Sequence, residues 1–311
     1  VLAIVCPGQG SQTPGFLAPW LELPGLPELA GALSDAAATD LVTHGTTSDE
    51  ETIKDTAIAQ PLLVGAGILS LVALFGQGDD TGRLGGAKVV SGHSVGEITA
   101  AAAAGVLSYR DAMTFVALRG RGMAEAAAVT PTGMSAVLGG DPAEVLASIE
   151  AAGLTPANNN GAGQIVAAGT LEQLAAFAEQ PPAKARVIPL KVAGAFHTTH
   201  MAPAVDQLRA AADHLNPQRA NVLVASNADG AVLDDGREIL DRLVNQVSNP
   251  VRWDLCMERF ADLGVTGLIE VAPAGTLVGL AKRGLKGVQT LALKTPDDLD
   301  AARTMIEEHT A

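Results

Sequence analysis

Cysteine is scarce in this chain of 311 residues: there are two, Cys6 and Cys256, far apart in sequence. Two such thiols make neither a disulfide framework nor a metal site, and Cys6 falls in an apolar strand pattern, so both read as free buried thiols. Positive charge is short as well. Lysine and arginine number 20 against 34 aspartates and glutamates, a net charge of −14, which argues against nucleic acid or an anionic membrane as a partner. Long hydrophobic runs are missing: the longest, Pro61 to Phe75, is broken by Gly65 and Gly67 and reads as too short to span a membrane. No secretory leader precedes the first strand, which points to the cytoplasm, and because the chain opens on Val1 rather than Met, a few residues are expected to have preceded it. There is no internal repeat and no low-complexity tail. Common phosphate loops are absent too. In Pro7-Gly8-Gln9-Gly10-Ser11-Gln12 the third glycine of a G-x-G-x-x-G would have to be Thr13, and no G-x-x-x-x-G-K-S/T occurs. No nucleotide cofactor is therefore expected.

What the chain does have is Gly92-His93-Ser94-Val95-Gly96, a G-x-S-x-G nucleophile elbow. Its approach, Ala87 to Val90, reads as a short buried strand, and its exit, Glu97 to Ala104, as an alanine-rich helix. Ser94 is thus expected on a strand-to-helix turn, next to a helix N-terminus where backbone N–H groups can meet an oxyanion. The flanking glycines are expected to keep Cβ atoms from hindering the serine's approach to substrate.

The rest of the chain supplies the frame. Leu2 to Cys6 reads as a first strand, helical segments follow around Thr52 to Phe75, and the alternation of strands and helices points to an α/β fold with a parallel sheet. From about Gly133 to Leu190 the order becomes strand, helix, strand, strand, helix, strand, which is the ferredoxin-like βαββαβ order in about sixty residues. The expected architecture is an α/β-hydrolase-like core domain, 1–128 and 192–311, carrying an inserted ferredoxin-like small domain, 129–191. Sites tend to lie between such units.

A serine nucleophile needs a base. Of six histidines, His197 lies where the chain returns to the core domain, so it should face the cleft, with His93 and His200 as alternatives. His93 adjoins the serine, but neighbouring side chains on a strand point to opposite faces. Ser108 caps a helix running to about Ala127, on which Ala112, Phe115, Val116, Arg119 and Met123 recur at spacings of three and four. Arg119 on that apolar stripe needs an anion: either a protein carboxylate such as Glu97 or Asp111, or a carboxylate on the substrate. On these residues alone the chain reads as a serine-nucleophile protein, with a serine thioesterase or hydrolase and an idle binding module among the open readings. A hydrolase of this type usually has Ser, then an acid, then His in chain order, and no arginine facing the acyl pocket.

The sequence resembles the malonyl-CoA:acyl carrier protein transacylases of the bacterial free-standing type. The resemblance rests on Gly8-Gln9-Gly10-Ser11-Gln12, Gln60-Pro61, Gly92 to Glu97, Arg119-Gly120 with Met123, Asn158-Asn159-Asn160 with Gly163-Gln164, Gly194-Ala195-Phe196-His197, and Asn249 to Trp253, in order along nearly the whole chain. It departs at Ala272-Pro273-Ala274-Gly275, where Gly-Pro-Gly is common, and at Gly15-Phe16, where Gly-Met is common. The resemblance implies that Ser94 is acylated by malonyl-CoA with His197 as base, oriented by the backbone carbonyl of Gln246 rather than by an acid. It implies an oxyanion hole from the Gln9 and Val95 N–H groups, and a substrate carboxylate held by Arg119. Phe196 would keep the pocket small, with Met123, Asn160, Gln164 and Gln60 lining it. Coenzyme A would enter as part of the substrate, no cofactor would be needed, and an acyl carrier protein would be the partner of a monomeric enzyme serving fatty acid or polyketide synthesis. An acidic carrier needs a basic rim; the candidates are Lys184, Arg186 and Lys191 with Lys282, Arg283 and Lys286.

Overall fold

Leu2 to Cys6 is apolar at every position, as a strand covered on both faces must be. The computed structural model describes residues 1–76 and 81–310. In chain order its strands are β1 (Leu2–Cys6), β2 (Val89–Gly92), β3 (Thr132–Gly139), β4 (Thr155–Asn159), β5 (Gln164–Thr170) and β6 (Ala185–Pro189). After these come β7 (Leu223–Ala225), β8 (Val232–Leu233), β9 (Val251–Arg252), β10 (Gly267–Glu270) and β11 (Gln289–Ala292). They form two sheets. The first, in the order β11-β10-β1-β2-β7-β8, is parallel except for the β7–β8 pair. Leu2, Ile4 and Cys6 of β1 join one apolar cluster with Leu62 and Ile68, while Ala3 and Val5 join another with Trp253 and Phe260. Period-two alternation thus feeds a core on each side of the sheet. The fold is mixed α/β with a largely parallel main sheet.

The helix Thr56–Phe75 corrects one expectation. It runs unbroken through Pro61 and both glycines for 20 residues, long and apolar enough by composition to cross a membrane. Yet 83% of its most apolar window is buried inside the protein, so its all-round hydrophobicity is that of a core helix.

The second sheet has the order β6-β3-β5-β4-β9. Two helices lie between its strands in sequence. Pro142–Ala151 is capped by Asp141, whose carboxylate accepts from the Ala143 and Glu144 N–H groups, and Leu171–Glu179 opens with a Thr170–Gln173 capping box. Ile165 and Ala167 of β5 face these helices, with Ile149 and Phe177, whereas Val166 and Ala168 face the main core. The sheet therefore packs on the main core, and it lines the cavity described below from β3, β4 and β5. One strand arrives from elsewhere: β9, in the segment expected to belong wholly to the core domain, pairs in parallel with β4, placing Asn158 opposite Val251. A two-residue strand carries no periodicity to reveal this.

Candidate active site

The elbow is built by crowding. A Cβ on Gly92 would stand 1.9 Å from the Gly96 carbonyl carbon, and one on Gly96 would stand 2.2 Å from the Cys6 carbonyl oxygen. The glycines are thus required where the end of β2, the helix Gly96–Ala103 and the end of β1 meet backbone to backbone, rather than to clear the way to substrate. Ser94 takes φ +53°, a strained value for a residue with a side chain. Asn227, fully buried, holds that strain: its Oδ1 accepts from Ser94 N at 2.8 Å and its Nδ2 donates to Gly92 O at 2.8 Å. Because a Gly92→Ala methyl would meet backbone, it is expected to destabilise the fold by about 4 kcal/mol or more. A urea midpoint unchanged from that of the parent would disprove the crowding.

His197 reaches Ser94 from the segment after β6. Its Nε2 lies 2.8 Å from Ser94 Oγ, and its Nδ1 lies 3.0 Å from the Gln246 backbone oxygen. A carbonyl can only accept, so Nδ1 carries the proton and Nε2 presents its lone pair to the serine. Burial first, and the Arg119 cation second, push the His197 pKa down to about 3, so the imidazole is neutral at physiological pH. His93 also lines the cavity, but its Nε2 is taken up by Asn160 Oδ1 at 2.8 Å. His200 sits in the short turn Thr199–Met201, outside the cavity lining.

Arg119 projects from the helix Tyr109–Val129 and is 1% exposed. Its Nη1 donates to Gln60 Oε1 at 2.6 Å, and its Nη2 donates to Gln246 Oε1 at 2.7 Å and to Ser94 Oγ at 3.3 Å. Neither carboxylate expected as its partner touches it. Asp111 stays in the first helical turn, and Glu97 is one amide away, accepting from Gln246 Nε2 and from Asn227 N. Burial pushes the arginine pKa down to about 10 and the Glu97 pKa up to about 8. The guanidinium stays charged at neutral pH and is held by neutral amides beside the nucleophile, with its charge available to an incoming anion.

These groups surround a cavity of about 110 Å³. Gln9 and Val95 line it, and neither backbone N–H donates to a protein group among the described residues. Gln9 is fixed through its side-chain amide, which reaches Lys54 O and Thr56 Oγ1, both at 3.4 Å. Gln60, Met123 and Phe196 also line the cavity. A polar nucleophile, a neutral base and an unneutralised cation in a small, mostly apolar pocket can carry out acyl transfer on a short acid-bearing acyl group. The acyl transferase domain family matches residues 3–298. The malonyl CoA-acyl carrier protein transacylase of Mycobacterium tuberculosis is 51% identical over 300 residues, covering 96% of this chain and 98% of the relative. The chain belongs to the malonyl CoA-acyl carrier protein transacylases. The Escherichia coli protein of the same name is 35% identical over 308 residues, 96% of this chain and 98% of its own. Among solved structures, MCAT from Mycobacterium tuberculosis superposes with a TM-score of 0.92 at 50% identity, covering 97% of this chain and 99% of its own. A type II PKS acyl-carrier protein in complex with its malonyl-transacylase gives 0.88 at 29% identity, covering 97% and 99%.

Within this family frame, two expected pocket residues lie elsewhere. Asn160 stands behind His93 rather than in the lining, and Gln164 begins β5 opposite Leu138, at the end of the sheet face whose middle lines the cavity. The residues that do line it from these strands are Asn158 and Val166, which face each other across the β4–β5 pair. Asn158 is 8% exposed and its buried Oδ1 has no hydrogen-bond partner among the described residues. The basic candidates separate into two groups. Lys191, with Glu50 and Lys54, lines a groove of about 530 Å³ that shares Gln9, Leu190 and Val192 with the cavity. Arg186 pairs with Leu138 across from Gln164, and Lys282 and Arg283 end the helix Thr276–Gly284, whose last residue packs on Met257 near Ala162, so these flank the 161–164 turn. Lys184 precedes β6 on that same side, and Lys286 follows the helix. Sequence reasoning missed Asn227, Asn158, Lys54 and the side chain of Gln246. Both cysteines are free and buried, and burial raises both thiols well above their usual range. Among the described residues no group of three or more His, Cys, Asp or Glu is placed to hold a metal ion.

Proposed function

We infer that this chain transfers a malonyl group from malonyl-CoA to the phosphopantetheine thiol of an acyl carrier protein through a malonyl–Ser94 ester. The observation that carries the reading is that one oxygen, Ser94 Oγ, lies 2.8 Å from a neutral His197 Nε2 and 3.3 Å from the buried Arg119 guanidinium. His197 takes the Ser94 proton as Oγ bonds to the thioester carbonyl carbon. The Gln9 and Val95 N–H groups receive the oxyanion. Collapse breaks the carbon–sulfur bond, and the coenzyme A thiolate leaves with the proton from His197. The carrier thiol then gives its proton to His197, attacks the ester carbonyl, and Ser94 Oγ departs reprotonated. Arg119 holds the malonyl carboxylate throughout, and Phe196 and Met123 bound the acyl group.

The groove bearing Lys54 and Lys191 is the proposed path of the phosphopantetheine arm common to both substrates. The basic residues around the 161–164 turn are the proposed second docking contact for the carrier. The strand order within 129–191 supports an inserted ferredoxin-like unit on an α/β-hydrolase-like core, with β9 of the core stitched to its edge. A hydrolase would need a route for water and has no use for a buried arginine at the acyl site, so transfer is favoured.

Intact-protein mass spectrometry tests the reading. Mixing with malonyl-CoA should add one malonyl mass to the Ser94 peptide, and adding a phosphopantetheinylated carrier protein should move that mass to the carrier. Release as free malonate with none on the carrier would establish hydrolysis instead.

A further inference from the structure

Glu97 lies directly behind the elbow, 4% exposed, and no step of the transfer uses it. Among the described residues its two oxygens accept from two residues only: Oε1 from Asn227 N at 2.6 Å, and Oε2 from Gln246 Nε2. Those two residues touch every reacting group. Asn227 Oδ1 accepts from Ser94 N, Gln246 Oε1 accepts from Arg119 Nη2 at 2.7 Å, and the Gln246 backbone oxygen accepts from His197 Nδ1 at 3.0 Å. The Gln246 amide can adopt either of two orientations, and its surroundings select one. Nε2 faces Ser94 O at 3.1 Å, Asn227 Oδ1 at 3.3 Å and the Glu97 carboxylate, all acceptors, which leaves Oε1 to face the arginine. Each carboxyl oxygen of Glu97 faces an N–H donor, so the side chain meets Gln246 as an acceptor and enforces that choice.

We propose that Glu97 is a positioning residue that, by orienting the Gln246 amide and anchoring Asn227, keeps Arg119 and His197 aligned on Ser94. This rests on the reading that Arg119 receives the substrate carboxylate. Glutamine at position 97 keeps the shape but must turn an NH2 toward Asn227 N–H or toward Gln246 NH2. If Gln246 flips to relieve the clash, it turns its own NH2 on the guanidinium, and Arg119 loses its acceptor.

The test compares the parent with Glu97→Gln, measuring melting temperature, kcat and KM for transfer, and the single-turnover rates of acylation by malonyl-CoA and acetyl-CoA. A displaced clamp should lower malonyl kcat by about 10- to 100-fold, with the KM for carrier protein little changed and the malonyl-to-acetyl preference reduced by about tenfold or more. A variant that melts earlier but keeps the parent's preference would show Glu97 to be a structural anchor alone and overturn the proposal. Should Glu97→Gln fail to fold, Gln246→Ala decides in its place: it leaves the Gln246 carbonyl on His197 and the Glu97–Asn227 contact, yet should lower the same preference, and an unchanged preference would overturn the proposal. A parent enzyme that transfers no malonyl would refute the functional reading instead.

Discussion

Ser94→Ala is expected to lower malonyl transfer by about 10⁴- to 10⁶-fold while leaving the protein folded. The chemical half of this follows from the geometry, since no other hydroxyl stands within reach of both His197 Nε2 and Arg119 among the residues lining the cavity. The folding half follows from the backbone. Ser94 holds φ +53° because Asn227 and the crossing of β2 with the helix Gly96–Ala103 impose it, and alanine tolerates that conformation about as poorly as serine. The variant should therefore keep the parent's far-UV spectrum and lose only the ester. His197→Ala should cost about as much as the serine, and the double variant should be no worse than either, because the two residues act as one unit. Rapid-quench labelling with malonyl-CoA reads all three. A Ser94→Ala protein that still shows a labelling burst would place the nucleophile elsewhere.

What could be read from the sequence was what the chain expresses locally. The elbow is a strand, five residues and a helix in direct succession, so its spacing reveals it. Arg119 shows itself because a helix repeats every 3.6 residues and its apolar stripe makes an arginine conspicuous. The wiring behind the elbow has no such signature. Ser94 meets Asn227 across 133 positions and Glu97 meets Gln246 across 149, and neither partner lies in a pattern that distinguishes it from an ordinary polar residue. Glu97 did leave a trace, as the one charged residue in a helix otherwise made of glycine, isoleucine, threonine and alanines. That makes it a candidate direct partner for Arg119, whereas the structure inserts the Gln246 amide between them. That difference matters chemically. A carboxylate in contact would neutralise the guanidinium, while an amide fixes its position and leaves its charge for a ligand. The misplacement of Gln164 has a similar origin. Strand alternation identifies the face a residue is on, not how far along that face the cavity extends.

Arg119→Ala is expected to erase most of the preference for malonyl over acetyl, a change on the order of a thousandfold or more in the ratio of kcat/KM values. Two effects of the same cation act together. In the free enzyme the buried guanidinium has only amide and hydroxyl acceptors among the described residues, so an acyl group without a carboxylate leaves its charge without an anion in the buried pocket. The same charge, after burial, is the second cause of the depressed His197 pKa. A malonyl carboxylate on Arg119 offsets that repulsion, and the imidazole becomes a stronger base at the moment it is needed. An acetyl group brings no such compensation. Removing the arginine should therefore slow malonyl transfer through loss of the clamp, yet spare or even raise acetyl transfer, since His197 regains basicity without it. Single-turnover acylation with each thioester separates these contributions, because the carrier protein is absent from that step. Equal loss with both thioesters would mean that Arg119 serves Ser94 or the fold and has no part in choosing the substrate. A selective loss with malonyl would make one buried cation both the recognition element and the control on the base.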